Sequence, residues 1–345
     1  MVSGPDTREQ KKMQNIKNIM VTGGAGFMGS HFVRHLVNST KLNVVVVDKL
    51  TYAGNLSSIR DLIVEKKCMF YLMDISAPQI QHIIRMEQID AIVNFAAETH
   101  VDRSIFYPKA FLETDIMGGF NLVYHSLKEK IKLFLQVSTD EVYGPILEGE
   151  ADESYPFNPT SPYSASKAAI ELLLQSYRKT YGLPLLTVRC CNNFGSMQYP
   201  EKLIPMAITR LIEGKPVLLH GEGEEIREWI YVEDCVRRIV DVMLGGTVGL
   251  VYNIGSGFRL SNNEVVHDVL DCMGLMINKF TLVRFVPNRP NNDKRYAMRS
   301  AWPDYLWNNF LEDLRKTVEW YMANKDWWPE VDISSNFYTK GEYLR

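Results

Sequence analysis

Gly23-Gly24-Ala25-Gly26-Phe27-Met28-Gly29 leaves little choice of fold for the residues around it. The segment follows an apolar, β-rich run at 18–22 and opens an amphipathic helix, the setting in which glycines let a backbone turn tightly and approach a pyrophosphate. Free backbone N–H groups of this loop, which contains Gly23, Gly26 and Gly29, and the positive end of the helix opened by Phe27 and Met28 would then hold the phosphate charge. A second apolar run reaches Asp48 about 20 residues later, where a carboxylate can accept from the ribose hydroxyls of adenosine. It would repel a 2′-phosphate, so the pattern predicts NAD rather than NADP, with Lys49 beside it weakening that discrimination.

Further runs at 69–72, 91–95, 133–137 and 185–189 alternate with helices beginning near Leu56, Gln79, Pro108 and Pro162. Continuous apolar strands separated by amphipathic helices predict a parallel sheet covered on both faces. The fold class is therefore α/β, a Rossmann-like doubly wound sheet over residues 18–193. Asp74 and Ile75 after the third run, and Phe95, Ala96 and Ala97 after the fourth, should edge the cofactor trough. From residue 194 the rhythm changes to short strands at 217–220, 229–232, 251–254 and 281–286 between helices at 202–213, 233–244 and 261–273. This predicts a smaller mixed α/β substrate lobe over 194–330, with segments crossing between the halves and a cleft between them. Residues 1–17 read as a disordered lead-in and 331–345 as a tail.

A net charge of -3 gives no electrostatic reason to expect nucleic acid or an anionic membrane as partner. Five cysteines, odd in number and without the paired spacing of zinc sites, predict reduced core thiols in a cytoplasmic protein. The polar N-terminus has no apolar segment of a signal peptide, and no run approaches the roughly 18 apolar residues of a membrane span. No metal site is expected, because His220 lacks a surrounding array of ligands.

The chemistry concentrates in Ser138-Thr139-Asp140-Glu141-Val142-Tyr143-Gly144 and in Tyr163 with Lys167. Tyr163 and Lys167, four apart on a helix begun by Pro162, share a face. A free tyrosine titrates near pH ~10, and a nearby ammonium would stabilise its phenolate, allowing it to take a hydroxyl proton as hydride leaves the same carbon. Alone, that spacing is common on amphipathic helices, and adjacent acids are usually a solvated turn.

Tyr-x-x-x-Lys after a glycine-rich NAD loop, with a Ser/Thr at a strand end between them, resembles the extended short-chain dehydrogenases/reductases. Ser-Thr-Asp-Glu-Val-Tyr-Gly is similar, within them, to the nucleotide-sugar 4,6-dehydratase family, above all those members acting on dTDP-glucose. The similarity runs from about residue 18 to 321, through Asp48-Lys49-Leu50-Thr51-Tyr52-Ala53-Gly54-Asn55-Leu56, His100-Val101-Asp102-Arg103-Ser104 and Tyr199-Pro200-Glu201-Lys202-Leu203.

The resemblance implies that Tyr163 takes the 4-hydroxyl proton as hydride passes to NAD, with Thr139 steadying the oxygen. Glu141 then removes the C5 proton, Asp140 protonates the departing 6-hydroxyl, and hydride returns to C6. A 4-epimerase of the same superfamily would need Tyr163, Lys167 and NAD but not the acid pair. The resemblance also places Thr51, Gly54 and Asn193 against NAD. It assigns the sugar nucleotide to Thr99, Asn192, Lys202, Leu203, Leu218, His220, Arg227, Asn262, Arg295 and Tyr296, and implies a homodimer through helices at 108–128 and 162–181. Lys294, Asn291-Asn292 and Phe194 depart from the family pattern. The first two are also compatible with UDP-glucose dehydratases; a second reading keeps the same groups but takes UDP-N-acetylglucosamine or releases a 5,6-alkene. A non-catalytic NAD-binding protein is the reading from another class, and the intact reacting groups argue against it.

Overall fold

Successive residues of the central strands alternate between two cores, which explains why the strands read as unbroken apolar runs. In the computed structural model, which describes residues 16–276, 279–302 and 307–328, Ile19 and Val21 of β1 (Asn18–Thr22) join one buried cluster. Met20 between them joins the other. Val44 and Val46 against Val45 and Val47 repeat this in β2 (Asn43–Asp48). Side chains on both faces are removed from water, as a sheet sandwiched between helical layers requires.

β3 (Cys68–Leu72), β4 (Ala91–Asn94), β5 (Leu133–Thr139), β6 (Leu185–Cys190) and β10 (Val251–Ile254) complete a seven-stranded sheet in the order β10-β6-β5-β4-β1-β2-β3. Every pairing is parallel. Helices Phe27–Ser39 and Val232–Gly245 pack one face through Phe32, Val33, Leu36, Val236 and Ile239. Ile80–Met86, Gly119–Lys128 and Pro162–Tyr181 cover the other through Ile83, Leu122, Ile170 and Leu174. β10 and Val232–Gly245 come from the C-terminal half, so the chain returns to the large sheet after leaving it.

The remaining strands form two small sheets, β7 (Asn192–Phe194), β9 (Ile226–Tyr231) and β11 (Arg259–Ser261) in the order β11-β9-β7, and β12 (Val283–Val286) with β8 (Val217–His220). Helices Leu203–Ile212, Asn262–Cys272 and Trp307–Ala323 enclose a separate core with Phe194, Trp229, Val266, Phe310 and Tyr321. The segment expected as one strand at 281–286 instead divides, a helical turn Lys279–Leu282 preceding β12. No helix among the described residues is long and apolar enough to cross a membrane. All five cysteines are unpaired.

Strand order reverses at β1, which lies between β2 and β4. Open α/β sheets bind ligands outside the carboxyl ends of their strands at such a point. Residues 1–15 and 329–345, covering most of the expected lead-in and all of the tail, lie outside the described residues.

Candidate active site

A cavity of about 390 Å³ opens at this switch point, within the size range of small-molecule sites. It is lined by all five reacting residues, every cofactor residue expected from sequence except Asp74, and every substrate residue except Arg295.

The glycine loop has no room for side chains. Gly23 adopts φ 68°, and a Cβ there would lie 2.6 Å from the Ala96 nitrogen. At Gly29 a Cβ would lie 2.2 Å from the Gly23 oxygen, inside the loop's own turn. Helix Phe27–Ser39 begins at Gly26 with no side-chain cap, and Gly26, Phe27, Met28 and Gly29 line the cavity, so the helix N-terminus borders a ligand-sized space. This is the cradle a dinucleotide pyrophosphate requires. Asp48 Oδ2 accepts from the Ala25 amide at 2.9 Å and Oδ1 from the Leu50 amide at 2.8 Å. A carboxylate has about four acceptor positions, so Asp48 can brace the loop and still receive ribose hydroxyls. Burial pushes its carboxyl up despite these amides and Lys49.

Lys49 turns toward neighbouring groups, donating to Thr114 Oγ1 at 2.9 Å and lying 3.5 Å from Asp74 and 3.6 Å from Glu98. Asp74 does not line the cavity, contrary to expectation. Its Oδ1 accepts from the Ser76 amide at 2.8 Å, so local turn geometry draws it aside while Ile75 faces inward.

β5 ends at Thr139, whose side chain caps the short helix Asp140–Tyr143 by accepting from the Glu141 amide at 3.3 Å. Gly144 ends that turn at φ 69°. Helix Pro162–Tyr181 starts in a reciprocal Ser161/Ser164 capping box with proline in its first turn, which fixes Tyr163 and Lys167 beside the β5 end. Burial pushes the Tyr163 phenol well up, as do Glu141, Asp115 and Asp140, while a hydrogen bond with Thr139 lowers it.

The ammonium expected to lower Tyr163 has other partners. Lys167 Nζ donates to the Val137 carbonyl at 2.9 Å, and burial lowers its pKa against the pull of Asp115 and Glu171. Asp115 lies on a π-helical turn, Leu112–Gly118. Its Oδ2 accepts from Ser166 Oγ at 2.6 Å and Oδ1 from the Glu98 amide at 3.0 Å.

The acid pair is strongly biased. Burial, then Glu141 and Glu228, push Asp140 well above the ordinary carboxyl range, and its Oδ2 makes no hydrogen bond among the described residues. Burial also raises Glu141, but Lys202, Arg289 and Arg227 oppose it. Both carboxyls are raised by burial, Asp140 well above its ordinary range, while cations face Glu141; that asymmetry suits Asp140 to the role of acid and Glu141 to that of base.

In the lobe half, Arg227 stacks 4.4 Å from the Tyr296 ring centre, and Tyr296 donates to Asp293 Oδ2 at 2.6 Å. Arg295 points away. It donates to the carbonyls of Ile146 and Gly149, because neighbours in this extended segment, which bridges Ile226, face opposite sides. Arg289 occupies the cavity instead, anchored 3.3 Å from Asp102 Oδ1 and donating to Asn292 Oδ1 at 3.1 Å. Sequence reasoning missed Arg289 and Asp115, while Asp102 and Glu201 lay in runs that carry the family resemblance but were given no role. His100 caps helix Val101–Phe106, its Nδ1 accepting from the Arg103 amide.

A family model described as the NAD dependent epimerase/dehydratase family matches residues 19–255. The dTDP-glucose 4,6-dehydratase of Salmonella typhimurium (strain LT2) is 40% identical over 340 residues, spanning 90% of this chain and 94% of the relative. Among solved structures, DesIV, the dTDP-glucose 4,6-dehydratase of Streptomyces venezuelae with NAD and TYD bound, gives a TM-score of 0.86 at 40% identity, covering 90% of this chain and 98% of that one. The dTDP-glucose 4,6-dehydratase of Bacillus anthracis str. Ames in complex with NAD gives 0.82 at 36% identity, with the same coverage. With the glycine cradle, the β5 acid pair and the Tyr163 helix in one cavity, the chain belongs to the NAD-dependent epimerase/dehydratase family.

Proposed function

We propose that this chain converts dTDP-glucose to its 4-keto-6-deoxy derivative with loss of water, as an NAD-dependent lyase. The observation that carries this reading is the acid pair at the β5 end, Asp140 and Glu141, on the same cavity wall as Thr139 and Tyr163. Epimerisation has no use for such a pair.

When bound, NAD supplies a hydride acceptor and donor, and a positive charge that offsets the carboxylates around Tyr163. Tyr163 would accept the 4-hydroxyl proton at Oη as its phenolate, the form that the cofactor's positive charge would favour, and Thr139, hydrogen-bonded to that oxygen, steadies it. Lys167, fixed on the Val137 carbonyl, keeps a cationic donor beside the cofactor. Once C4 is a ketone the C5 proton is acidic, and Glu141, supported by Lys202, Arg227 and Arg289, removes it. Asp140 gives its proton to the 6-hydroxyl, which leaves as water. Hydride return to C6 and proton return to C5 complete a reaction with no net redox change.

Arg227, Arg289 and Lys202 bring three cations to the lobe side of the cavity, a donor set suited to a nucleoside diphosphate. Leu218, His220 and Asn262 line the region proposed for the base. Five large apolar side chains, Leu112, Met117, Tyr124, Leu172 and Tyr181, are 42–62% exposed on the helices at 108–128 and 162–181. This supports a homodimer through those helices. Unpaired cysteines fit a cytoplasmic location.

Incubation with dTDP-glucose, UDP-glucose and UDP-N-acetylglucosamine, with products analysed by mass and NMR, tests the proposal. Loss of one water from dTDP-glucose in preference to the uridine sugars is expected. Turnover of none of them would refute the enzymatic reading, and preference for a uridine sugar would reassign the substrate.

A further inference from the structure

The loop after β2 faces two ways. Thr51, Ala53 and Gly54 line the cofactor end of the cavity, while Tyr52 reaches across to the C-terminal lobe. Its hydroxyl donates to Glu201 Oε1 at 3.0 Å, and its ring meets Tyr199 edge-on at 5.3 Å. The guanidinium carbon of Arg103 lies 3.6 Å from the Tyr52 ring centre, and Arg103 Nε lies 3.4 Å from Glu201 Oε2. Glu201 is thus shared by a phenol and a guanidinium that stack on each other, and its side chain is only 8% exposed. Burial and Glu201 push the Tyr52 phenol up, so the donor keeps its proton.

Adjacent residues extend the closure. Lys202 Nζ donates to the Thr99 carbonyl at 2.5 Å, tying the same lobe segment to the loop after β4. His31, on the helix behind the glycine loop, contacts the Ser196 carbonyl at 2.9 Å through Nε2, and Asn55 Nδ2 donates to the Trp327 carbonyl at 3.2 Å. Four polar contacts thus join segments beside the cofactor trough to the C-terminal half, with the densest group at Tyr52.

Dehydration without net redox change withdraws a hydride and returns it to the same sugar. Departure of the reduced cofactor between those events would strand an oxidised sugar and leave the enzyme without its hydride store. We infer that Tyr52, Arg103 and Glu201 form a clasp that closes the cofactor loop onto the lobe and retains NAD through the reaction cycle, an inference resting on the assignment of the trough to NAD. They act as positioning residues: the clasp holds Thr51 and Gly54 over the trough while leaving the reacting groups untouched. A buried hydrogen bond to a charged acceptor, when lost, changes a rate or equilibrium constant by roughly tenfold or more.

The test is exchange of bound NAD for radiolabelled NAD in solution, followed on the full-length protein. Wild type, Tyr52→Phe, Glu201→Gln, their double variant and Arg103→Met would be compared, with melting curves of the NAD-free forms alongside. Slow exchange is expected for wild type and exchange about tenfold faster for Tyr52→Phe. The double variant should fall short of the product of the two single effects, because Tyr52→Phe removes one of the two contacts that Glu201→Gln weakens. Arg103→Met, which leaves the hydrogen-bonded pair chemically intact, should also accelerate exchange. NAD-free melting temperatures should move little, separating retention from general stability. Exchange in both Tyr52→Phe and Arg103→Met within about twofold of wild type would overturn the clasp. Wild type stripped of its cofactor and then unable to bind labelled NAD would overturn the cofactor assignment beneath it.

Discussion

Asp140 and Glu141 share one turn and burial raises both carboxyls, yet the strongest charges beside them differ. Burial and two carboxylates, Glu141 and Glu228, favour the neutral acid at Asp140, whereas Lys202, Arg289 and Arg227 support charge at Glu141. Glu141→Gln should lower dehydration by about 100- to 10,000-fold while sparing C4 oxidation, so that reduced nicotinamide accumulates in absorbance without loss of water. Full dehydration by that variant would contradict the base assignment. Because Glu141 is raised on folding, the acid limb of kcat should lie above the ordinary glutamate value of about 4.3, activity falling as pH drops through it, and this limb should vanish in Glu141→Gln. Asp140 is raised as well, so the native state binds more protons than the unfolded chain above the ordinary aspartate pKa, and its contribution to stability is lost as pH rises through that window. Asp140→Asn should therefore stabilise the protein at neutral pH by about 1 kcal/mol or more while impairing dehydration, measurable as a higher Tm with lower turnover. A lower Tm would show that Asp140 is not held neutral.

The elements that the sequence made legible are those with a local cause. β1 to β6 are apolar on both faces, and the Pro162–Tyr181 helix carries its own capping box, proline and terminal Gly182 in the left-handed conformation. β7 and β11, three residues each, have no period to read and exist through pairing with β9. The π-helical turn that brings Asp115 to Ser166 and the Glu98 amide leaves an ordinary amphipathic pattern in the sequence. Arg289 was hidden because its partner Asp102 is 187 residues away, while Arg295 drew attention through a motif whose alternation turns it outward. A second distant pair makes a stability prediction. Glu171 and Arg189 join the Pro162–Tyr181 helix to β6 through a 2.7 Å ion pair with both side chains almost fully buried. Glu171→Gln should cost about 3–5 kcal/mol in chemical denaturation, and a cost below 1 kcal/mol would mean that the pair is dispensable. At the exposed face of the same helix, Leu172→Glu should convert a dimer to monomer in sedimentation velocity; a wild type already monomeric would remove the proposed interface.

Across the whole molecule the two halves divide the chemistry. The sheet supplies the glycine cradle, Asp48, and the reacting groups at the β5 end, and the lobe supplies Arg227, Arg289 and Lys202 across the cavity. The proposed reaction needs both, since the sheet would hold the cofactor and the acid pair while the lobe would hold the nucleoside diphosphate. Family membership was readable from sequence, as were the residues proposed to react that line the cavity, because they are clustered in short motifs. The closure of the cavity, by contrast, emerges only from contacts such as Tyr52 to Glu201 and Lys202 to Thr99, made between segments more than 100 residues apart. The central claim, that one retained cofactor takes and returns the same hydride around an elimination, is tested most directly by turnover of dTDP-glucose carrying deuterium at C4. Deuterium recovered at C6 of the 4-keto-6-deoxy product is predicted. Its loss to solvent, or its retention at C4 of an epimerised sugar, would contradict the account.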